Sequence, residues 1–135
     1  MKLEELMIGD WVAIDEPDRY HVYNGKVVAI GGENHYVTLF VPITNHDVFE
    51  EDIRPIPINE DILLKNGFEE IKVEDIYSTY RDKDCDITPD IDDDCKLCWM
   101  LYVGNNNHDA NICLHFVHEL QNALRLLGIE KEITI

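Results

Sequence analysis

Short apolar segments separated by turn residues make up the first 58 residues of the chain. Stretches such as "LMIGDWVAI" and "HYVTLFV" carry the aromatic and β-branched side chains that suit a pleated strand. Asn24-Gly25 lies between two further apolar stretches and predicts a two-residue hairpin turn, because both turn positions require positive φ. Four or five short strands in this length predict an SH3-like small β-barrel over residues 1–58.

Residues 59–135 predict a second lobe that mixes helices and strands. Its first element is a short helix in "NEDILLKNG", where Asn59 is suited to cap the start and Gly67 to end the last turn. "EIKVEDIYSTY" and "KLCWMLYVG" predict two strands, and the second is apolar on both faces, which is typical of an interior strand. The final "EKEITI" alternates and predicts a terminal strand.

The clearest periodicity lies in "CLHFVHELQNALRLLG". Apolar residues recur at alternating steps of four and three from Cys113 to Leu127, and Gly128 follows, so the pattern predicts an amphipathic helix over 113–127. The opposite side of this helix carries His118, Gln121, Asn122 and Arg125, which form either an ordinary solvated helix face or an exposed interaction patch that recognises a peptide or another subunit. The chain is therefore expected to be an α+β protein in which antiparallel strands pack against a C-terminal helix.

Aspartates crowd the stretch "DKDCDITPDIDDD", residues 82–94, between the two strands predicted for the second lobe. We interpret it as a solvated acidic loop whose candidate contact residues are Asp82, Asp84, Asp86, Asp92, Asp93 and Asp94. The first three fall at positions 1, 3 and 5 of a calcium-binding EF-hand loop. However, Ile87 replaces the required glycine and Pro89 removes a backbone donor, so a true EF-hand is not expected.

Cysteine and histidine spacing raises the question of a zinc site. Cys95-x-x-Cys98 and His115-x-x-His118 contain zinc-binding residue types, and Cys113 is a further partner for such a set. Only two residues separate the histidines, whereas zinc fingers have three to five, and Cys98 lies inside an apolar strand. We therefore favour buried thiols and surface histidines, predict no cofactor, and keep a Zn²⁺- or Ca²⁺-binding module as an alternative.

The sequence contains no coherent catalytic set. Its one serine, Ser78, lacks the flanking glycines of a nucleophile elbow. Gly31-Gly32 is not followed by the lysine and helix of a phosphate-binding loop. Cys113 is close to His115, but its place on the apolar stripe predicts a core residue rather than an exposed thiolate. We therefore expect a protein that is not an enzyme.

The formal net charge is −17, from 28 acidic and 11 basic residues. Nucleic-acid binders and proteins of anionic membrane surfaces need clustered cations, so this balance argues against direct contact with nucleic acid or membrane. The acidic charge then serves either solubility or the attraction of a basic protein partner. No oligomeric state is predicted. The first residues contain glutamates where a signal peptide needs an apolar core, and no apolar run is long enough to span a membrane. We therefore expect a cytoplasmic protein with reduced cysteines.

Three segments resemble a family of small uncharacterised proteins from gut anaerobic bacteria, often encoded in mobile-element or prophage-like DNA. The segments are "IGDWV" (8–12), "IPINEDILLKNGFEE" (56–70) and "VHELQNALRLLGIEKEI" (117–133), the last carrying the closing Val-His-x-Leu-Gln-Asn helix of that family. The family has no assigned activity. The resemblance therefore implies a cytosolic setting and the same order of segments, and it carries over no catalytic residue.

These observations favour a non-enzymatic protein-interaction or accessory module of bacterial or mobile-element origin. A second hypothesis, motivated by the net charge, is an acidic nucleic-acid mimic that inhibits a DNA-binding protein. It predicts salt-sensitive binding to a basic protein, lost when Asp92, Asp93 and Asp94 are replaced by asparagine.

Overall fold

The computed structural model describes residues 1–15, 23–31, 36–41, 44–83, 85–103 and 112–135. Within these ranges the protein has two antiparallel sheets of five strands each, a short helix and a C-terminal helix. The predicted α+β class is therefore confirmed. No helix in the described part of the chain has both the length and the apolar character needed to cross a membrane.

Five strands form the first sheet: β1 (Trp11–Ile14), β2 (Tyr23–Ile30), β3 (Tyr36–Val41), β4 (Thr44–Phe49) and β5 (Ile53–Arg54). Their spatial order is β4-β3-β2-β1-β5, and all neighbours are antiparallel. This lobe has a buried apolar cluster of its own, made of Leu6, Val12, Ile14, Val27, Val37, Leu39, Val48 and Ile53. Closure of the sheet into an SH3-like barrel stays a prediction.

The hairpin turn predicted at Asn24-Gly25 is wrong, because both residues lie inside β2 and pair with Ala13 and Val12 of β1. A side chain at position 25 would press on the next strand, since a Cβ built there lies 3.1 Å from the Cβ of Leu39. Glycine at this position therefore favours close packing of neighbouring strands and does not form a turn.

The second sheet contains β6 (Glu69–Val73), β7 (Tyr77–Asp82), β8 (Cys85–Ile91), β9 (Leu97–Val103) and β10 (Ile112–Leu114). Its order is β10-β9-β8-β7-β6 and its pairs are antiparallel. The interior position predicted for "KLCWMLYVG" is confirmed, because β9 lies between β8 and β10. The segment "EIKVEDIYSTY", predicted as one strand, is instead the β6–β7 hairpin.

The predicted acidic loop over 82–94 is wrong for residues 85–91, which form β8 inside the second sheet. Cys85 and Ile87 belong to the buried core, whereas Asp86 and Thr88 alternate with them and are half-buried on the other face. This alternation of period two is a strand signal, and the high aspartate content obscures it. The acidic residues of β8 therefore line one face of a sheet.

Two helices, α1 (Glu60–Lys65) and α2 (Val117–Leu126), accompany the second sheet. The Asn59 cap is confirmed, since its Oδ1 accepts a hydrogen bond from the backbone N–H of Ile62 at 2.9 Å. The helix predicted over 113–127 starts later, because 112–114 pair with β9 as β10. Glu119 accepts hydrogen bonds from the backbone N–H groups of His115 (2.7 Å) and Phe116 (3.1 Å), which fixes the first turn of α2 there. Cys113 is consequently exposed rather than buried in a helical stripe.

The larger core packs the second sheet against both helices. Its fully buried members include Leu63, Ile87, Leu101, Leu120, Leu124 and Ile133. Trp11 and Ala13 of β1 also pack on this core, so the two lobes meet where β1 contacts α2. The lobe boundary at residue 58 stays a prediction.

Candidate functional site

The polar side of α2 is largely covered by other parts of the chain. His118 and Gln121, two members of the predicted interaction patch, are only 4% and 2% exposed, and Asn122 and Arg125 are half-buried. The side chains of Gln121, Asn122 and Arg125 contact the N-terminal lobe and the C-terminal segment 129–135, so the expectation that this side of the helix is exposed is wrong. Helical periodicity shows that this side is polar, but it does not show that distant residues cover it.

A buried carboxylate, Asp10, connects the N-terminal lobe to α2. Its Oδ1 accepts a hydrogen bond from Nη1 of Arg125 at 3.1 Å, and its Oδ2 accepts from Nδ2 of Asn122 at 3.3 Å and from the backbone N–H of Met7 at 2.8 Å. Gly9 permits this approach, because its φ is +94° and a Cβ there would lie 2.6 Å from Nη2 of Arg125. The lobes are thus joined by an ion pair whose carboxylate is fully buried and hydrogen-bonded.

Two side-chain amides hold the C-terminal segment. Nε2 of Gln121 donates to the carbonyl of Lys131 at 3.0 Å, and Oε1 of Gln121 accepts from the N–H of Ile133 at 2.6 Å. Asn66 donates to the carbonyl of Thr134 at 2.7 Å and accepts from its N–H at 2.8 Å. The predicted terminal strand is wrong, because the main chain here bonds to side chains and forms no strand ladder.

His118 is a buried titratable group on α2. Its ring stacks on Phe116 with 5.9 Å between the ring centroids, and its Nδ1 has no hydrogen-bond partner among the described residues. Burial lowers the pKa of His118 below its ordinary value, and the nearby carboxylates of Glu119, Asp10 and Glu5 oppose this shift. The imidazole is therefore held in its neutral form in the folded protein at neutral pH.

We expect His118 to make the fold sensitive to mild acid. Because its pKa is lowered by folding, the unfolded chain binds a proton more readily, so stability falls as the pH drops below about 6.5, by at most about 1.4 kcal/mol per pH unit. Urea denaturation at pH 7.5 and pH 5.5 measures this loss. In His118→Gln the loss between these two pH values is smaller. His46→Gln removes an imidazole at an exposed position and is the control, and an equal reduction in both variants would contradict the role of His118.

The predicted acidic cluster is split between the two faces of the second sheet. Arg81 donates to both carboxylate oxygens of Asp86, at 2.8 and 2.9 Å. The register places Arg81 opposite Asp86 and Asp82 opposite Cys85, so the side chains of Asp82 and Asp86 point to opposite faces and do not converge on one calcium ion. Asp84 lies outside the described residues.

Asp92 has a structural role in the β8–β9 turn. Its Oδ1 accepts hydrogen bonds from the backbone N–H groups of Asp94 and Lys96, both at 2.9 Å, and its Oδ2 lies 2.8 Å from Nε2 of His115. The backbone bond from Lys96, followed by the bond to His115, lowers the pKa of the Asp92 carboxyl. Asp93 and Asp94 project from the same turn and are exposed. Of these three aspartates, Asp93 and Asp94 are the ones available to a partner.

Among the residues that the structure describes, the thiols do not assemble a metal site. Within the described ranges, no three His, Cys, Asp or Glu side chains lie close enough together to hold a metal ion. Cys95 is exposed in a turn with φ +60°, whereas Cys98 is buried in β9. Burial, followed by a hydrogen bond with Cys113, raises the pKa of the Cys98 thiol to about 12. Cys98 is therefore a protonated, weakly nucleophilic thiol at neutral pH.

Exposed aliphatic and acidic side chains meet at one end of the second sheet, formed by residues 74–77 and 90–97, which we call the acidic apolar end. The β6–β7 and β8–β9 turns lie at the same end because β6 to β9 form an antiparallel meander. Ile76, Ile91 and Leu97 are 76%, 65% and 64% exposed. The two ranges contain six acidic residues and one lysine, a formal charge of −5.

No family model, curated protein or solved structure matches this chain. The resemblance to small proteins of gut anaerobes stays a prediction.

Sequence reasoning did not indicate the distant partners of Asp10, Asn66 or Gln121. Gly9-Asp10 is a turn signal and Asn66 precedes the glycine that ends α1, so each has a sufficient local explanation. Neither local pattern indicates a partner at the other end of the chain. One sequence signal does indicate such a contact. The alternation of "EITI" predicts that one side of the C-terminal segment packs against an apolar surface of the protein.

Proposed function

We propose that this protein is a non-enzymatic interaction module that binds a basic partner through the acidic apolar end. The observation that carries the proposal is the pair Ile91 and Leu97, which lie directly opposite each other in the β8–β9 register and are both largely exposed. Exposed Asp93 and Asp94 stand in the turn that joins the two strands. This surface offers an apolar contact beside negative charge.

The physical chemistry of this surface favours a protein ligand. Covering two large aliphatic side chains stabilises a complex by about 1.5–3 kcal/mol for each side chain. The surrounding carboxylates attract lysine and arginine, which accelerates association and orients the partner. A segment in which basic and aliphatic residues lie close together therefore matches both properties of the surface.

Two further features complete the proposal. The order β4-β3-β2-β1-β5, with a 3₁₀ turn at Glu50–Asp52 between β4 and β5, supports an SH3-like barrel for the N-terminal lobe. Three cysteines that form no disulfide support a reducing, cytoplasmic setting: Cys95, Cys98 and Cys113. A bacterial or mobile-element origin is part of the same proposal and is supported by the sequence resemblance alone.

A phage-displayed library of random peptides tests the proposed surface directly. We expect enrichment of peptides that combine lysine or arginine with aliphatic residues. Their affinity should fall by about tenfold or more in Ile91→Ser/Leu97→Ser, because the apolar contact is lost. In Asp93→Asn/Asp94→Asn the affinity should fall less and should depend less steeply on salt.

A matched control is Ile8→Ser/Leu126→Ser, which removes two aliphatic side chains that are 66% and 85% exposed and lie elsewhere on the protein. This variant should bind the selected peptides as the unmodified protein does. Selected peptides that are mainly acidic, or that bind Ile91→Ser/Leu97→Ser with unchanged affinity, would show that the acidic apolar end is not the binding surface.

The net charge of −17 also supports a second candidate, the nucleic-acid mimic. Its test needs different substitutions from those that the sequence suggests, because replacing Asp92 would disrupt the β8–β9 turn. Salt-sensitive binding to a DNA-binding protein that weakens in Asp93→Asn/Asp94→Asn, yet is unaffected by Ile91→Ser/Leu97→Ser, would favour the mimic over the apolar contact.

A further inference from the structure

The C-terminal segment 129–135 is bound in a manner typical of a peptide ligand. Gln121 contacts the main chain at Lys131 and Ile133, and Asn66 contacts the main chain at Thr134. Each amide uses one donor and one acceptor, which is what a neighbouring strand would supply. Since these bonds go to the peptide backbone, they recognise an extended chain whatever its side chains are.

The two amides approach the segment from opposite sides. In an extended chain, the carbonyl of one residue and the N–H of the second residue after it point the same way, as Lys131 and Ile133 do toward Gln121. The N–H and the carbonyl of Thr134 point the other way, toward Asn66. The segment therefore lies in a groove between α2 and the end of α1.

Side-chain contacts give this groove a preference for sequence. Ile133 is fully buried in the core. The ammonium of Lys131 lies 5.2 Å from the centroid of the Phe68 ring and 3.6 Å from a carboxylate oxygen of Asp82. Glu132 pairs with Lys26 of β2 at 3.3 Å. The groove thus favours a basic residue, an acidic residue and a large aliphatic residue in succession.

The junction between α2 and the segment is suited to act as a hinge. Gly128 has φ +72°, a conformation that glycine adopts without strain, and a Cβ there would meet nothing within 4 Å. After it, the N–H of Ile129 donates to the carbonyl of Leu124 at 2.9 Å, a bond of the helix end. Beyond Ile129, the groove contacts described above supply most of the anchoring of the segment.

We propose that the groove between α1 and α2 is a peptide-binding site, which the segment 129–135 occupies as an internal ligand and which accepts an extended basic-acidic-aliphatic peptide of a partner protein in its place. The tether gives the internal segment an effective concentration in the millimolar range, so an external peptide binds only when it outcompetes the segment or when the segment is weakened. The segment thereby regulates access to the site. This site is separate from the acidic apolar end.

The test uses the full chain with the substitution Ile133→Ser, which removes the main side-chain anchor of the internal ligand. The probe is a fluorescein-labelled peptide of sequence IEKEITI, corresponding to residues 129–135, and fluorescence anisotropy measures its binding. The variant should bind the probe about tenfold or more tightly than the unmodified protein does. A probe with serine at the position of Ile133 should not bind.

Control variants identify the groove as the place of binding. Adding Gln121→Leu or Asn66→Ala to Ile133→Ser should abolish probe binding, whereas adding Leu126→Ser, on an exposed position of the same helix, should not. Adding Ile91→Ser/Leu97→Ser should also leave probe binding unchanged. Failure of this proposal is therefore distinguishable from failure of the proposed function at the acidic apolar end.

Circular dichroism of Ile133→Ser resolves the case in which the variant does not fold. If it is unfolded, the probe peptide should restore a cooperative thermal transition, because the peptide replaces the missing anchor. A folded variant that does not bind the probe, or an unfolded variant that the probe does not restore, would overturn the proposal.

Discussion

Replacing Arg125 by methionine lowers the free energy of unfolding by about 3–5 kcal/mol, because it leaves a buried carboxylate without its counter-ion. The carboxylate is that of Asp10, whose side chain has no exposed surface. Arg125 supplies the cation at 3.1 Å, and Asn122 and the Met7 N–H supply only neutral donors. Urea denaturation followed by the fluorescence of Trp11 and Trp99 measures the effect, provided that the transition is two-state.

Two variants show whether charge is the cause of this loss. Asp10→Asn in the Arg125→Met background should recover about half of the lost stability, because a neutral amide needs no counter-ion and still accepts from the Met7 N–H. Arg54→Met is the matched control, since Arg54 and Asp15 form an exposed pair at 3.9 Å that contributes about 0–1 kcal/mol. Equal losses in Arg125→Met and Arg54→Met would contradict a stabilising role for the buried pair.

Gln121→Leu is expected to cost about 2–4 kcal/mol, because it deprives two backbone groups of the C-terminal segment of their hydrogen-bond partner. These are the carbonyl of Lys131 and the N–H of Ile133, and the latter lies in the core. Denaturation in urea gives the loss of stability. Hydrogen exchange gives its location, since the amide of Ile133 should lose protection while that of Leu101 in β9 keeps most of its own.

A second substitution at the same position tests this cause. Gln121→Glu keeps the acceptor for the Ile133 N–H but loses the donor to the Lys131 carbonyl and buries a carboxylate without a counter-ion, so at neutral pH it should lose at least as much stability as Gln121→Leu does. Unchanged protection of Ile133 in Gln121→Leu would mean that apolar packing alone holds the segment in place.

Sequence patterns identified the helices and strands whose buried residues recur at regular spacing along the chain. The run that becomes β9 lies between two other strands, with Trp99 and Leu101 in the core, and Leu120 and Leu124 recur at helical spacing because α2 packs on that core. The strand pattern of β8 was missed because aspartate dominates the composition of that stretch. Aspartates at 86 and 90 made β8 resemble a loop, although Cys85 and Ile87 alternate with polar residues as a strand requires.

The contacts of the candidate sites were harder to predict for a different reason. A polar residue on a helix carries the same local signal whether water or another part of the chain covers it. Gln121 therefore looked like a surface residue, although its partners at 131 and 133 lie beyond the end of its own helix. The sequence also did not indicate that Ile91 and Leu97 are exposed, because two apolar residues at the end of a hairpin have the same sequence pattern as two core residues.

Asp10 and Arg125 are separated by 115 positions along the chain. A ribosome that adds about 5–20 residues per second makes the arginine roughly 6–23 s after the aspartate. During that interval the Gly9-Asp10 turn has its carboxylate but not its guanidinium partner, so the first sheet is translated before it can be locked to α2. Locking of the first sheet to α2 therefore waits for the synthesis of α2, and a stalled chain that lacks α2 would present an unneutralised acidic turn to the quality-control machinery of the cell.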